Sequence, residues 1–342
     1  MHTCPPPKRA LKDWLKKYPS TNGSYGHLLL EQKGKCGQSL LDALRPYFES
    51  AHLDARECFH AAIGIDLHPD AEDDGAHAQY PGCLPPTTRR GLFGEVMAGL
   101  ITESYNFVGD HKWSVPVFLF RYHADVEKYL FDLARDPART RTIFGRFGSD
   151  FLGLSLSEDG SVVRFIAGEA KWRQNLHPSV VEELLLGEWT KNSDGERVRS
   201  GKGIWYEVNR DTPVPHGVRQ LQRLLQECDP AGYSAAILSM DKALVLRNAV
   251  PIPRTNLVLI AGNDVPSRGQ ARSLVPWEEP SPEYTPGNDL QVVEVILNGG
   301  EELIDAIYDS LWTGEDKKCP RMTAKGSKSQ MGSLKRSRLK TP

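Results

Sequence analysis

From Gly91 to Phe107 the apolar residues Leu92, Phe93, Val96, Met97, Leu100 and Ile101 recur at helical spacing, which predicts a helix with one buried face. Its other side carries Gly91, Gly94, Ala98 and Gly99, small residues that let a second element come close although glycine weakens a helix. Phe151 to Ser157 alternates, Asp159-Gly160 is a turn signal, and Ser161 to Lys171 runs back. That pattern predicts a β-hairpin closed by a type I′ turn.

Weaker periodicities fill in the remainder. Amphipathic stretches near Arg9 to Tyr18 and Gln38 to Ala51 suggest a helical lead-in over residues 1–57, and the apolar run Cys58 to Leu67 reads as a strand. Residues 66–90 are rich in Asp, Pro and Gly and read as a surface loop, with Thr87 or Thr88 placed to cap the next helix. Val115 to Tyr122 reads as a strand and Ala124 to Arg135 as a helix ending before Pro137. Helices follow at Pro178 to Leu186 and Val218 to Cys228, with a polar loop over 188–214 between them. Ser234 to Ser239, Leu257 to Ala261 and Leu290 to Leu297 read as strands, and Glu301 to Trp312 as an amphipathic helix after a Pro-rich loop over 263–289. The order predicts an α/β fold, a mixed central sheet flanked by helices, over residues 58–312. Residues 313–342 are expected to be a disordered basic tail.

Charge changes this picture. The formal net charge is -2, yet nine of the 42 Lys and Arg residues lie between Lys317 and Pro342, where there is no acid. Residues 1–316 therefore carry 33 basic side chains against 44 acidic ones, a net of -11. A body this acidic repels polyanions on average, so action on nucleic acid requires a local basic groove, the tail, or a partner that delivers substrate. The absence of an 18-residue apolar run and of a signal-like N-terminus points to a cytoplasmic protein with no membrane partner. The six scattered cysteines read as free thiols, since they form no C-x-x-C pair.

The hairpin carries the candidate chemistry. Glu169 and Lys171 are two apart on its second strand and point to one face, and Asp150 is about as far from the turn as Glu169, so the two carboxylates should converge. Metal-assisted phosphodiester hydrolysis needs this combination: carboxylates to hold the ion, an open position for water, and a cation or base beside it. A bare E-x-K carries little weight, and Glu31-Gln32-Lys33 and Glu315-Asp316-Lys317 have the same spacing without a predicted hairpin. A solvated strand end beside a turn residue is the competing reading.

Gly148-Ser149-Asp150 with Gly168-Glu169-Ala170-Lys171, preceded by Gly91-Leu92-Phe93-Gly94-Glu95, resembles the PD-(D/E)xK, restriction-endonuclease-like nuclease superfamily. The ending Val292-Val293-Glu294-Val295-Ile296 followed by Glu301-Glu302-Leu303-Ile304-Asp305-Ala306-Ile307-Tyr308 is similar to the HamA nucleases of Hachiman anti-phage defence. The resemblance covers about residues 85–312 and leaves the Ala124 to Arg135 helix and the first 57 residues unmatched. It implies a restriction-endonuclease-like core in which Asp150, Glu169 and the Ala170 carbonyl hold Mg²⁺ or Mn²⁺. Lys171 would orient the attacking water and offset transition-state charge. It further implies DNA as substrate and a superfamily 2 helicase as partner. Glu95 would join the catalytic group. It lies off the apolar stripe beside Gly91, Gly99 and Thr102, facing either the site or water, and Glu103 is the competing carboxylate. Gln174 contacts phosphate or is a surface residue.

Other patterns are weaker. The loop holding His68, Asp70, Asp73, Asp74 and His77 matches no zinc or EF-hand spacing and reads as an acidic solvated loop. The motifs of P-loop, dinucleotide-binding, zinc-protease and serine-hydrolase proteins do not occur. Trp172 is expected in the core on the opposite sheet face from Lys171. The alternative to a nuclease is a non-catalytic nucleic-acid- or protein-binding module that keeps the fold.

Overall fold

The computed structural model describes residues 1–63, 80–82, 84–122, 150–210, 214–245, 251–264 and 269–313. The predicted Ala124 to Arg135 helix, the acidic loop from His68 to His77, Gly148-Ser149 and the basic tail from Lys317 lie outside them. The chain divides into a unit Met1–Leu311 and a second, Trp312–Pro342. The first contains a mixed six-stranded sheet with helices on both faces.

Its strands are β1 (Leu15–Asn22), β2 (Tyr25–Gln32), β3 (Phe151–Leu156), β4 (Val162–Arg173), β7 (Arg254–Asn263) and β8 (Asp289–Leu297), in the order β1-β2-β8-β7-β4-β3. The four inner strands run parallel, and the edges β1 and β3 pair antiparallel. Two short strands, β5 (Trp189–Lys191) and β6 (Arg197–Arg199), form a separate hairpin within the expected polar loop. The helices are α1 (Lys8–Trp14), α2 (Gln38–Ile63), α3 (Pro86–Ser104), α4 (Pro178–Leu186), α5 (Ile204–Val208), α6 (Val218–Cys228), α7 (Ser234–Val245) and α8 (Gly300–Ser310). None among the described residues is long and apolar enough to cross a membrane.

Several local expectations are corrected. The N-terminal segment is helical only in part: Arg9 to Trp14 lies in α1 and Gln38 to Ala51 in α2 as expected, whereas Leu15 to Gln32 folds into β1 and β2, and every residue of β2 is buried. A signal was present in Gly23-Ser24, a two-residue hairpin dipeptide, and Gly23 adopts φ 58° between the paired Asn22 and Tyr25. Residues 58–63, expected in a strand, continue the α2 helix, and Ser234 to Ser239 begins α7. Short apolar runs have no period that separates a strand from a buried helix. Val115 to Phe120 is buried but forms no described strand: pairing stops at the preceding bridge, Ser114 to Leu154, since Pro116 has no N–H to extend a ladder, and a 3-10 turn follows at Phe120–Tyr122. The α3 helix starts after Pro85 without a side-chain cap, and both threonines lie within its first turn.

The apolar core occupies both faces of the sheet. On one, Val258, Ile260, Val292 and Ile296 pack with Leu184 and Leu185 of α4 and Trp205 of α5. Toward the β3 edge of the same face, Leu152, Leu154 and Phe165 pack with Leu221 and Leu225 of α6 and Met240 of α7, and the opposite face buries Leu257, Leu259, Val293 and Val295. Of the α3 glycines, Gly99 has the close-approach role the pattern predicts, since a Cβ there would strike the Phe118 ring at 2.4 Å, whereas one on Gly94 would sit in ordinary contact, 3.7 Å from the Ala170 carbonyl oxygen.

Gly168 is tighter still, because a Cβ there would fall 1.7 Å from the backbone oxygen of Leu257 on the neighbouring strand. Backbone cannot swing aside as a side chain can. Gly168→Ala is expected to destabilise the protein by about 3 kcal/mol or more, read as a lower urea midpoint. A midpoint equal to wild type would show that β4 and β7 separate there at no cost.

Candidate active site

The hairpin places the three predicted residues together. Phe151 pairs with Gly168, so Asp150 stands one step before β3 opposite Glu169. The turn differs from expectation: Gly160 alone takes a positive φ, 81°, and its N–H bonds the Ser157 carbonyl at 3.0 Å. That is a three-residue loop ending in a left-handed glycine, and a bulge between Ser155 and Leu156 restores the register that aligns Asp150 with Glu169.

Past Phe151 the edge strand stops, whereas β4 continues to Arg173 on the support of β7. A cleft of about 390 Å³ opens beside this overhang, lined by residues that include Asp150, Ala170 and Lys171 from the hairpin and Thr87, Arg90, Gly91 and Glu95 from α3. Thr87, Gly91 and Glu95 are successive i, i+4 positions and so share one helix face. Gly91 has open space where a Cβ would stand, so the cleft wall is backbone at that point.

Lys171 ties the carboxylates together, with Nζ 2.5 Å from Asp150 Oδ2 and 2.8 Å from Glu169 Oε2. The Ala170 N–H reaches Asp150 Oδ2 at 3.4 Å. Exposure is graded: the Lys171 side chain is 33% accessible, Asp150 22% and Glu169 6%. Burial, then the Asp150 charge, holds the Glu169 carboxyl well above the usual carboxylate range, against the lowering effect of Lys171. For Lys171 burial acts to lower the ammonium's pKa, and Asp150 and then Glu169 outweigh it, so the pKa is raised and the charge retained.

The two competing glutamates of α3 have separate surroundings. Glu95, 5% exposed, belongs to the cleft wall, and its charge also raises the pKa of the buried Tyr308 phenol after burial itself. Glu103 is instead a structural acceptor, bonded by Tyr47 Oη at 2.7 Å and the Val115 N–H at 2.8 Å. Gln174 lines the cleft rim. Trp172 is in the core as expected, edge-on to Phe93 at 5.5 Å between ring centres, with Nε1 bonded to Glu301 Oε1 at 2.7 Å.

Neither a protein-family model nor a curated protein matches the chain. The chemistry of the cleft thus has to be argued from its own atoms. Asp150, Glu169 and the Ala170 carbonyl are hard oxygen donors, the type that Mg²⁺ and Mn²⁺ accept. Among the described residues no three His, Cys, Asp or Glu side chains are grouped to hold an ion, so Glu95 shares the cleft without completing a third carboxylate ligand. The pair fits a metal in donor chemistry, with the ammonium of Lys171 now bonded to both carboxylates in the way a cation would be.

Sequence reasoning missed Arg90, Thr87 and Glu301. Glu301 in the first turn of α8 accepts from Trp172 and forms an ion pair with Arg90, joining α8, β4 and α3 at the cleft. No short-range pattern connects residues this far apart. Only the row Thr87, Gly91, Glu95 was available as a signal.

Proposed function

We propose that this protein is a Mg²⁺- or Mn²⁺-dependent DNA endonuclease with a restriction-endonuclease-like core, working as an anti-phage effector with a superfamily 2 helicase. The observation that supports it most is the convergence of Asp150 and Glu169 on Lys171 at the overhanging end of β4, beside an open cleft. A buried carboxylate such as Glu169 resists ionisation unless a cation is supplied, and holding a second, partly exposed one, Asp150, beside it supports a role for that cation.

Asp150, Glu169 and the Ala170 carbonyl would hold the ion. When bound, the metal would polarise a phosphoryl oxygen and acidify the attacking water. Lys171 has the rest of the work: its ammonium, released from the carboxylates, orients the water and offsets negative charge at the reacting phosphate. Glu95 presents a further carboxylate to the same cleft and would take the water's proton or orient it. The acidic body explains the need for a partner that loads DNA.

A second reading is a non-catalytic binding module, and one observation favours it: Lys171 already bonds both carboxylates, as in a structural ion-pair cluster. Plasmid cleavage separates the two. Nicking by the full chain is expected at low salt with Mg²⁺ or Mn²⁺, absent with EDTA, restored by Mg²⁺, and greater with the helicase. Plasmid left intact with either ion at low salt, with the helicase present, would remove the nuclease reading in favour of the binding module.

A further inference from the structure

We infer that Arg173 is the phosphate anchor of the cleft, holding a backbone phosphate of the nucleic acid beside the one at Lys171. The inference builds on the nuclease reading and adds the residue that grips the substrate.

The cations at the cleft are not equivalent. Lys171 is bonded to Asp150 and Glu169. Arg90 is paired with Glu301. Arg173 also lines the cleft, is exposed, and donates from Nη1 to the Trp172 carbonyl at 2.9 Å. That bond fixes the guanidinium against its own strand through a neutral carbonyl, which does not cancel its charge. Among the described residues no carboxylate forms an ion pair with it, and the acid whose field reaches it is Glu183 of α4.

Its position follows from strand geometry. Glu169, Lys171 and Arg173 alternate onto one face of β4, and each two-residue step is about 6.6 Å. Arg173 is therefore the next side chain out from Lys171, on the last residue of the strand. The partner β7 presents Gly262 at this level, where a Cβ would fall 2.2 Å from the Arg173 carbonyl oxygen, so the strand end is held close to its neighbour. A guanidinium so placed offers several N–H donors in a fixed fork, suited to a phosphodiester. In a body with a net charge of -11 such a cation is the local attraction a polyanion requires.

The test is equilibrium binding of a fluorescent random-sequence DNA duplex to the full chain in EDTA, titrated with NaCl, so that no cleavage enters the readout. Wild type is compared with Arg173→Gln, Arg173→Lys and Arg197→Gln, the last a cation on the β5–β6 hairpin. For Arg173→Gln the slope of log K against log salt is expected to become shallower by about one, with affinity lost across all sequences. Arg173→Lys should retain the slope, showing that the loss is one of charge and not of folding. An unchanged slope in Arg173→Gln, a loss no larger than in Arg197→Gln, or no binding by wild type at any salt would each overturn the inference. Reduced binding by Arg173→Gln in a protein that never nicks plasmid with Mg²⁺ would support the anchor and remove the nuclease reading. Metal-dependent nicking with an unchanged slope would do the reverse.

Discussion

Glu169→Gln is expected to lower Mg²⁺-dependent DNA cleavage by on the order of 10³-fold while leaving the protein as stable as wild type or slightly more so. The side chain is almost fully buried, and its charge is opposed by burial and by Asp150. Glutamine keeps the shape and an oxygen for Lys171 to bond, but it removes the anionic ligand and the like-charge repulsion together. The sign with pH can be worked out from the same residue. A carboxyl raised in the folded state adds stability that is present at low pH and lost as pH rises through its folded value, so the advantage of glutamine should grow with pH. Unfolding midpoints measured from acid to neutral pH check that trend, and nicking assays check the activity. A variant that cuts plasmid at the wild-type rate would remove Glu169 from the site.

Lys171→Met should also abolish cleavage, but with the opposite effect on stability. It deletes the only side chain bonded to both carboxylates among the described contacts, leaving Asp150 and Glu169 opposed across the hairpin. Breaking a buried pair in this way is costly, and with the lysine one-third accessible we expect about 2 kcal/mol in metal-free buffer. The loss should shrink at acid pH, where a carboxyl takes up a proton, and shrink again when Mg²⁺ supplies the missing cation. Urea titrations of wild type and variant with EDTA or Mg²⁺ provide the comparison. Equal midpoints in EDTA would mean that the triad contributes no stability, and a deficit untouched by Mg²⁺ would argue against a metal between the carboxylates.

Sequence pattern treats these two substitutions alike, since Glu169 and Lys171 are simply two alternate positions on one strand. Only their surroundings distinguish them: the glutamate is buried under the lysine, and the lysine bridges to Asp150.

What the sequence by itself determined is what short-range geometry controls. The period of two along Phe151 to Ser157 and Ser161 to Lys171, with Asp159-Gly160 at the turn, brings Asp150 opposite Glu169, and the bulge between Ser155 and Leu156 recovers that register although the loop is one residue longer than expected. The helical period from Leu92 to Ile101 likewise specifies α3, and Gly99 on its far side admits the Phe118 ring. What only the tertiary structure decided depends on partners distant in the chain. Leu15 to Gln32 belongs to the sheet because β8 buries β2 on its inner side, more than 250 residues away. Glu95 and Glu103 lie two helical turns apart on the same element, and the choice between them is made by what stands opposite each: a cleft for one, Tyr47 and the Val115 N–H for the other. Local periodicity governs which way a side chain points, whereas the groups it meets are set by packing, which no window along the chain contains.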